Sequence, residues 1–241
     1  KAYAEELGIK IFNISYSPAS VADYAIMMML MLLRTIKPIM QRDLGQDYTM
    51  SGIRGRELPN MTVGIIGAGH IGQTVIKHLS GFGCKILYWN RHPKKELEEF
   101  AQYCDLPALL AQSDMISLHI ASNDETYHFM DSDRINSMKE GALLINTARG
   151  PIVDSIALIK ALESGQIAGA GLDVIDGDRN IYYRDHKNQM IIHHEMAILN
   201  SMPNVLMLPH AAYFTDQALE DMVHNSLIVT SQCFNAMNEL P

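Results

Sequence analysis

Three groups in this 241-residue chain have the types and order needed to move a hydride and a proton together. The first is Gly67-Ala68-Gly69-His70-Ile71-Gly72, a GxGxxG pattern. Its first glycine allows a tight turn, the second lets the backbone approach a pyrophosphate, and the third permits close helix–strand packing. The N-terminus of the helix that follows adds partial positive charge. The second is Arg149, in Thr147-Ala148-Arg149-Gly150. A guanidinium there is able to hold a carboxylate in bidentate fashion and polarise an adjacent keto oxygen. The third is His210, after Pro209, whose imidazole is able to protonate a developing alkoxide and take the proton back. Each has a plainer reading: a turn with no ligand, a structural ion pair, a structural histidine. Their order along one chain favours chemistry.

These groups must be positioned by the elements around them, and the pattern is that of a parallel α/β sheet. Apolar, β-rich runs recur at 62–66, 85–89, 115–120, 143–147, 169–174 and 204–208. Their near-continuous apolar character says that both sheet faces are covered. The glycine turn follows the first run and opens a helix over about 71–80. Arg149 and His210 lie just past the ends of later runs, where ligands sit in open α/β sheets. A long helix is expected from Pro18, capped by Ser17, to about Ile36, and another from about Thr215 to Met237. The polar stretch Asp176–Met196 reads as a long surface excursion, a length uncommon in loops without function. Residues 1–14 read as an incomplete helix plus strand, the tail of a domain whose earlier part is missing.

Composition narrows the partners. The net charge of −8 argues against nucleic acid, which requires a basic face, but leaves small anions held by local arginines. A hydrophobic fraction of 48% beside 19% charged residues is that of a globular chain. Cys84, Cys104 and Cys233 are scattered without a CxxC pair, so neither a disulfide framework nor a metal site is expected, and a reducing cytoplasm fits. The apolar run Ala25–Leu33 falls well short of the roughly 18–20 residues that span a bilayer, so a buried helix and no membrane association are expected.

Two positions stay open on residue chemistry. The second strand ends Trp89-Asn90-Arg91-His92, where an Asp or Glu would mark NAD by binding the ribose 2′-hydroxyl. Asn90 does not repel a 2′-phosphate and Arg91 is able to pair with one, which admits NADP beside NAD. Alternatively, Asn90 bonds a hydroxyl and Arg91 points to solvent. The carboxylate that would hold the His210 imidazole is equally open among Asp173, Asp176 and Asp178.

Over nearly its whole length the sequence resembles the D-isomer-specific 2-hydroxyacid dehydrogenases, in particular the D-lactate dehydrogenase and VanH-like branch. Gly69-His70-Ile71-Gly72, Gly81-Phe82-Gly83, Asn146–Gly150, Gly171-Leu172-Asp173-Val174, Pro203-Asn204-Val205, Pro209-His210 and Tyr213–Leu219 carry the likeness. The resemblance implies a Rossmann-type doubly wound sheet over 17–212 that binds NAD or NADP. Residues 1–16 would be a remnant of a flavodoxin-like substrate domain, and 213–241 a helix returning toward it. It implies that Arg149 binds the substrate carboxylate, that His210 is the acid/base, and that Asp178 supports it where the family usually carries Glu. It also implies that His70, Ile71, Ile120, Ala121, Thr126, Thr147, Ala148 and Asp173 line the cofactor. A small 2-keto or 2-hydroxy acid substrate and a homodimer are further expectations, with the apolar helix 21–33 as a candidate interface that an ordinary core helix explains equally well. Rivals are a glyoxylate or hydroxypyruvate reductase, which the Asn90-Arg91 pair would suit, and a non-catalytic dinucleotide-binding module.

Overall fold

Within the strands, successive side chains enter opposite cores. Ile86 and Tyr88 join one cluster while Leu87 between them joins the other, and Leu143 and Ile145 alternate with Leu144 in the same way. That period of two, with both phases apolar, is what a sheet covered on both faces requires. The computed structural model describes residues 2–238. Its strands are β1 (Thr62–Ile66), β2 (Lys85–Trp89), β3 (Gln102–Tyr103), β4 (Met115–Leu118), β5 (Ala142–Asn146), β6 (Ile167–Leu172) and β7 (Val205–Met207). They form one parallel sheet in the order β3-β2-β1-β4-β5-β6-β7.

The helices are α1 (Ala2–Glu6), α2 (Pro18–Leu33), α3 (Ile36–Leu44), α4 (His70–Ser80), α5 (Leu106–Gln112), α6 (Ser132–Asn136), α7 (Ser155–Ser164), α8 (His194–Ser201) and α9 (Asp216–Asn238). Residues of α2 and α4 fill one core, and residues of α5, α6, α7 and α8 fill the other. From β1 the chain steps outward to β2 and β3, then returns to lay β4 against the other side of β1. The carboxyl ends of β1 and β4 therefore flank the point where winding reverses, which in doubly wound sheets is the place for a ligand.

The Rossmann-type sheet expected from the sequence is present, with differences at its margins. The long first helix ends at Leu33 rather than near Ile36. Arg34 N–H still bonds back to the helix, but Thr35 turns left-handed at φ 50° and its hydroxyl donates to the carbonyl of Arg34. The chain restarts as α3 at an angle of 66° to α2. Lys37 Nζ then donates to the carbonyls of Asn200, Met202 and Val205 at 2.7–2.8 Å, tying α3 to the end of α8 and the start of β7. Four of the strands stop one or two residues short of their apolar runs, at Leu118, Asn146, Leu172 and Met207. The residues beyond those ends turn out of the sheet and build the site.

Two further differences concern a terminus and a loop. The strand expected around Ile9–Ile14 has no ladder partner among the described residues, and Leu7, Ile9, Ile11 and Phe12 are exposed. The Asp176–Met196 stretch is less of an excursion than it reads, because Tyr182 is buried in the core and α8 begins inside it. On α2, Ala22, Ala25, Ile26, Met28, Met29 and Leu33 lie in the core, while Met27 stays exposed beside Leu30 and Met31. No single helix among the described residues is long and apolar enough to cross a membrane. The bent α2–α3 pair passes on length and composition alone, and its first half is this core helix.

Candidate active site

A groove crosses the carboxyl edge of the sheet at the reversal point. Its larger lobe, about 690 Å³, is walled by Gly69, His70 and Ile71, by His119–Ser122 after β4, by Thr147–Arg149 after β5, and by His210, Ala212 and Tyr213 after β7, with Tyr16 and Tyr183 closing it. A smaller lobe of about 500 Å³ shares Gly69 and His119–Ala121 with it and extends over Gly67, Trp89, Asn90, Arg91, Asn123, Glu125, Thr126 and Phe129. The two lobes adjoin along this shared wall as two ends of a trough. The glycine turn, the guanidinium and the imidazole predicted from sequence thus face one cavity.

The turn has the geometry of a phosphate cradle. Gly67 has φ +97°, and a Cβ on it would lie 2.7 Å from the His119 carbonyl oxygen. A Cβ on Gly72 would collide with the Gly67 carbonyl, so only glycine lets α4 start this close to β1. Gly69 faces open space and caps α4 with no side-chain hydrogen bond, leaving the first-turn N–H groups available. Thr147 Oγ1 is buried on the cavity wall with no partner. An uncapped helix start, a glycine-shaped recess and an orphaned hydroxyl along one trough suit a dinucleotide.

Asn90 does not stand free at the end of β2. Its Oδ1 accepts the Ala68 N–H at 3.1 Å and its Nδ2 donates to the His92 carbonyl at 3.0 Å, so the amide braces the glycine turn. Arg91 pairs with Glu125 at 2.6 Å. Thr126 lines the smaller lobe, but its hydroxyl is engaged locally. It accepts from Asn123 N–H at 2.8 Å and donates to the Ala121 carbonyl at 2.7 Å, as Asn123 in turn caps Thr126.

Arg149 is exposed in an extended conformation, its Nη1 bonded to the Ala148 carbonyl at 2.6 Å. The buried Asn146 staples that turn, accepting from Ala148 N–H and donating to the Arg149 carbonyl, each at 3.0 Å. Gly150 follows because a Cβ would collide with the backbone of Ile175 and Asp176. Tyr16 stands near the guanidinium: burial raises its phenol, and Arg149 opposes the rise.

His210 occupies the left-handed region at φ 56°, an uncommon conformation for a residue with a Cβ, so something must hold it there. Asp173 does. It is wholly buried, and its two oxygens accept Ala211 N–H and Ala212 N–H at 2.9 Å each. Tyr24 stands beside it, and burial together with this carboxylate pushes that phenol up to about 12. The sequence reading puts Asp173 both against the cofactor and among the carboxylate candidates for His210; in the structure it holds the backbone just after His210. Tyr183 adds a second restraint by donating its hydroxyl to the His210 carbonyl at 2.9 Å.

The two remaining carboxylate candidates separate. Asp176 lies 3.7 Å from His128, outside the trough. Asp178 heads a short 3-10 turn, where it helps burial to raise the phenols of Tyr182 and Tyr183. Those two rings flank His210 at centroid distances of 6.5 and 5.7 Å. Among the described residues no carboxylate oxygen comes within 4 Å of the His210 ring. The contact implied by the resemblance is therefore not formed directly here; tyrosines stand around the ring.

Sequence reasoning passed over four residues of this site. His119 Nε2 lies 2.9 Å from Ser117 Oγ, and desolvation holds its imidazole down to about 4, keeping it neutral at pH 7 between the lobes. Its place at a strand's carboxyl end was a usable signal. Asn146 shares that signal. Glu125 and Tyr183 reach the site from loops, and spacing along one sequence does not announce them.

The comparisons with known proteins agree with this geometry. Residues 26–212 match the family model described as D-isomer specific 2-hydroxyacid dehydrogenase, NAD binding domain. A D-specific alpha-keto acid dehydrogenase of Enterococcus faecium is 42% identical over 224 residues, covering 93% of this chain and 68% of that protein. A D-lactate dehydrogenase of Lactiplantibacillus plantarum is 38% identical over 223 residues, 91% of this chain and 67% of its own length. The crystal structure of the Aquifex aeolicus D-lactate dehydrogenase complexed with NAD and lactic acid superposes with a TM-score of 0.89 at 35% identity, over 98% of this chain and 72% of that one. With a family model spanning most of the sequence and a trough shaped for the dinucleotide, the chain belongs to the D-isomer-specific 2-hydroxyacid dehydrogenases, NAD-dependent oxidoreductases acting on CH–OH donors.

Proposed function

We propose that this chain carries the cofactor site and the acid/base machinery of a D-lactate dehydrogenase, interconverting pyruvate and D-lactate. The observation that carries the reading is that Arg149 and His210, 61 positions apart, line the cavity that the glycine turn opens. The bound nicotinamide supplies or accepts the hydride. Arg149 holds the substrate carboxylate and draws electron density from the keto oxygen. His210 gives its proton to that oxygen as negative charge develops, and recovers it in the oxidative direction. Asp178 supports His210 through the tyrosine pair beside the ring rather than through a contact. Thr147 Oγ1 offers an unused hydroxyl to the ligand, and Ile71, Ile120, Ala121 and Ala148 present apolar surface to it.

Three other assignments belong to the same reading. Asn225 donates to the Ser15 carbonyl and Ser17 N–H to Asp221, at 2.8 Å each, which joins the described parts of 1–16 and 213–241, and we assign those two segments to the margin of the substrate domain. Exposed Met40, Leu44, Tyr48 and Met50 on α3 and the arm after it support a homodimer. The three free cysteines support a reducing, cytoplasmic setting.

The test is oxidation of NADH with pyruvate as acceptor, in the wild type and in Arg149→Lys. Lysine keeps the charge but loses the planar fork, so KM for pyruvate is expected to rise by about tenfold or more while NADH affinity stays unchanged. An unchanged KM would remove Arg149 from the carboxylate.

A further inference from the structure

The end of β2 leaves a chemical gap that a neighbouring loop fills. A nicotinamide dinucleotide with a free ribose 2′-hydroxyl is usually chosen by a carboxylate at this strand end, which accepts the hydroxyl and repels a 2′-phosphate. Asn90 occupies that place and its amide is already committed to Ala68 and His92. Arg91, next to it, is the residue that would welcome a 2′-phosphate. In the structure its guanidinium is taken: Nη2 lies 2.6 Å from Glu125 Oε2, and both residues line the smaller lobe beside Trp89 and the glycine turn. The capping box of Asn123 and Thr126 fixes the backbone that carries Glu125.

We propose that Glu125 is the specificity-determining residue of the adenosine end, supplying from the loop after β4 the negative charge that β2 lacks. It neutralises Arg91 and opposes a 2′-phosphate, selecting NADH over NADPH. The two side chains are 73% and 76% exposed, so their pair contributes little to stability. A dianionic phosphate brought between them meets one attraction and one repulsion, and removing Glu125 leaves the attraction alone. The inference rests on reading the smaller lobe as the seat of the adenosine ribose.

Trp89 is the sole tryptophan and lines that lobe, so its fluorescence reports dinucleotide binding without turnover. Titrations with NADH and with NADPH are to be compared for the wild type, Glu125→Gln, Arg91→Ala and the double variant. The wild type is expected to bind NADH more tightly. Glu125→Gln is expected to tighten NADPH by about tenfold, with NADH changed by less than about threefold, as one unit of opposing charge near a dianion implies. Adding Arg91→Ala is expected to abolish that gain, and raising the salt concentration to shrink it. NADPH affinity unmoved by Glu125→Gln, with NADH still quenching Trp89, would overturn the role of Glu125 and leave the lobe assignment standing. Quenching by neither dinucleotide would overturn the lobe assignment and the inference with it.

Discussion

The two ends of the trough are built on different principles. At the adenosine end, the glycine turn is shaped by contacts that a single Cβ would break and is braced by the Asn90 amide, with free N–H groups already facing the cavity. At the other end His210 sits in a left-handed conformation, and what fixes it acts on backbone: Asp173 on the two following N–H groups, Tyr183 on its carbonyl. Its ring is bordered by tyrosines, and among the described residues no carboxylate oxygen lies within 4 Å of its nitrogens. A binding turn can therefore be preorganised by close backbone contacts and one amide side chain, whereas the backbone of His210 is fixed and its imidazole is left among the tyrosines.

If the histidine end hangs on one buried carboxylate, removing that carboxylate separates the two ends most sharply. Asp173→Ala strands the buried Ala212 N–H, at a cost of about 1–3 kcal/mol, and the half-buried Ala211 N–H at less. It also leaves a cavity where a wholly buried side chain stood, and frees His210 from its strained conformation. Stability is expected to fall by about 3–5 kcal/mol in urea denaturation. Turnover at a temperature where the variant stays folded should fall at least tenfold, with NADH affinity preserved. Loss of NADH binding in the folded variant would show that the ends are not independent.

The boundary between the ends is His119, and it offers a smaller effect through pH. Its folded-state pKa is depressed from 6.5 to about 4, so between those values the unfolded chain holds the proton and the folded chain does not. Stability from this group is then fully present above about pH 6.5 and is lost as pH falls toward 4, by up to about 3 kcal/mol. Other carboxylates titrate in the same range, so the quantity to follow is wild type minus His119→Gln. That difference should narrow as pH is lowered from 7 to 4.5; a constant difference would mean the imidazole is not desolvated.

Much of the fold is legible in the sequence because a parallel strand buried on both faces must be apolar along most of its length, and 63–66, 86–89 and 142–145 are. The same rule hides where such strands end: Ile120 and Val174 are as apolar as strand residues yet belong to the loops. β3 is two residues long and its residues are exposed, leaving no pattern to find. In the site, the glycine turn is readable because its geometry admits few other residues. Arg149 and His210 are readable by position after strands. The carboxylate question is not, since Asp173, Asp176 and Asp178 are equivalent along the chain and differ only in what each faces: the histidine turn, His128, and the tyrosines. Glu125 escapes notice for the same reason, its meaning coming from Arg91, 34 positions away.

One pair of numbers decides whether a single trough holds both binding and acid/base chemistry in separable parts. NADH affinity from Trp89 fluorescence and turnover of pyruvate are to be measured for the wild type and for His210→Ala. Turnover should fall by about 10²- to 10⁴-fold, the usual contribution of a general acid/base, with NADH affinity changed by no more than about threefold. Equal losses of affinity and turnover would place His210 in cofactor binding and contradict the division of the trough proposed above.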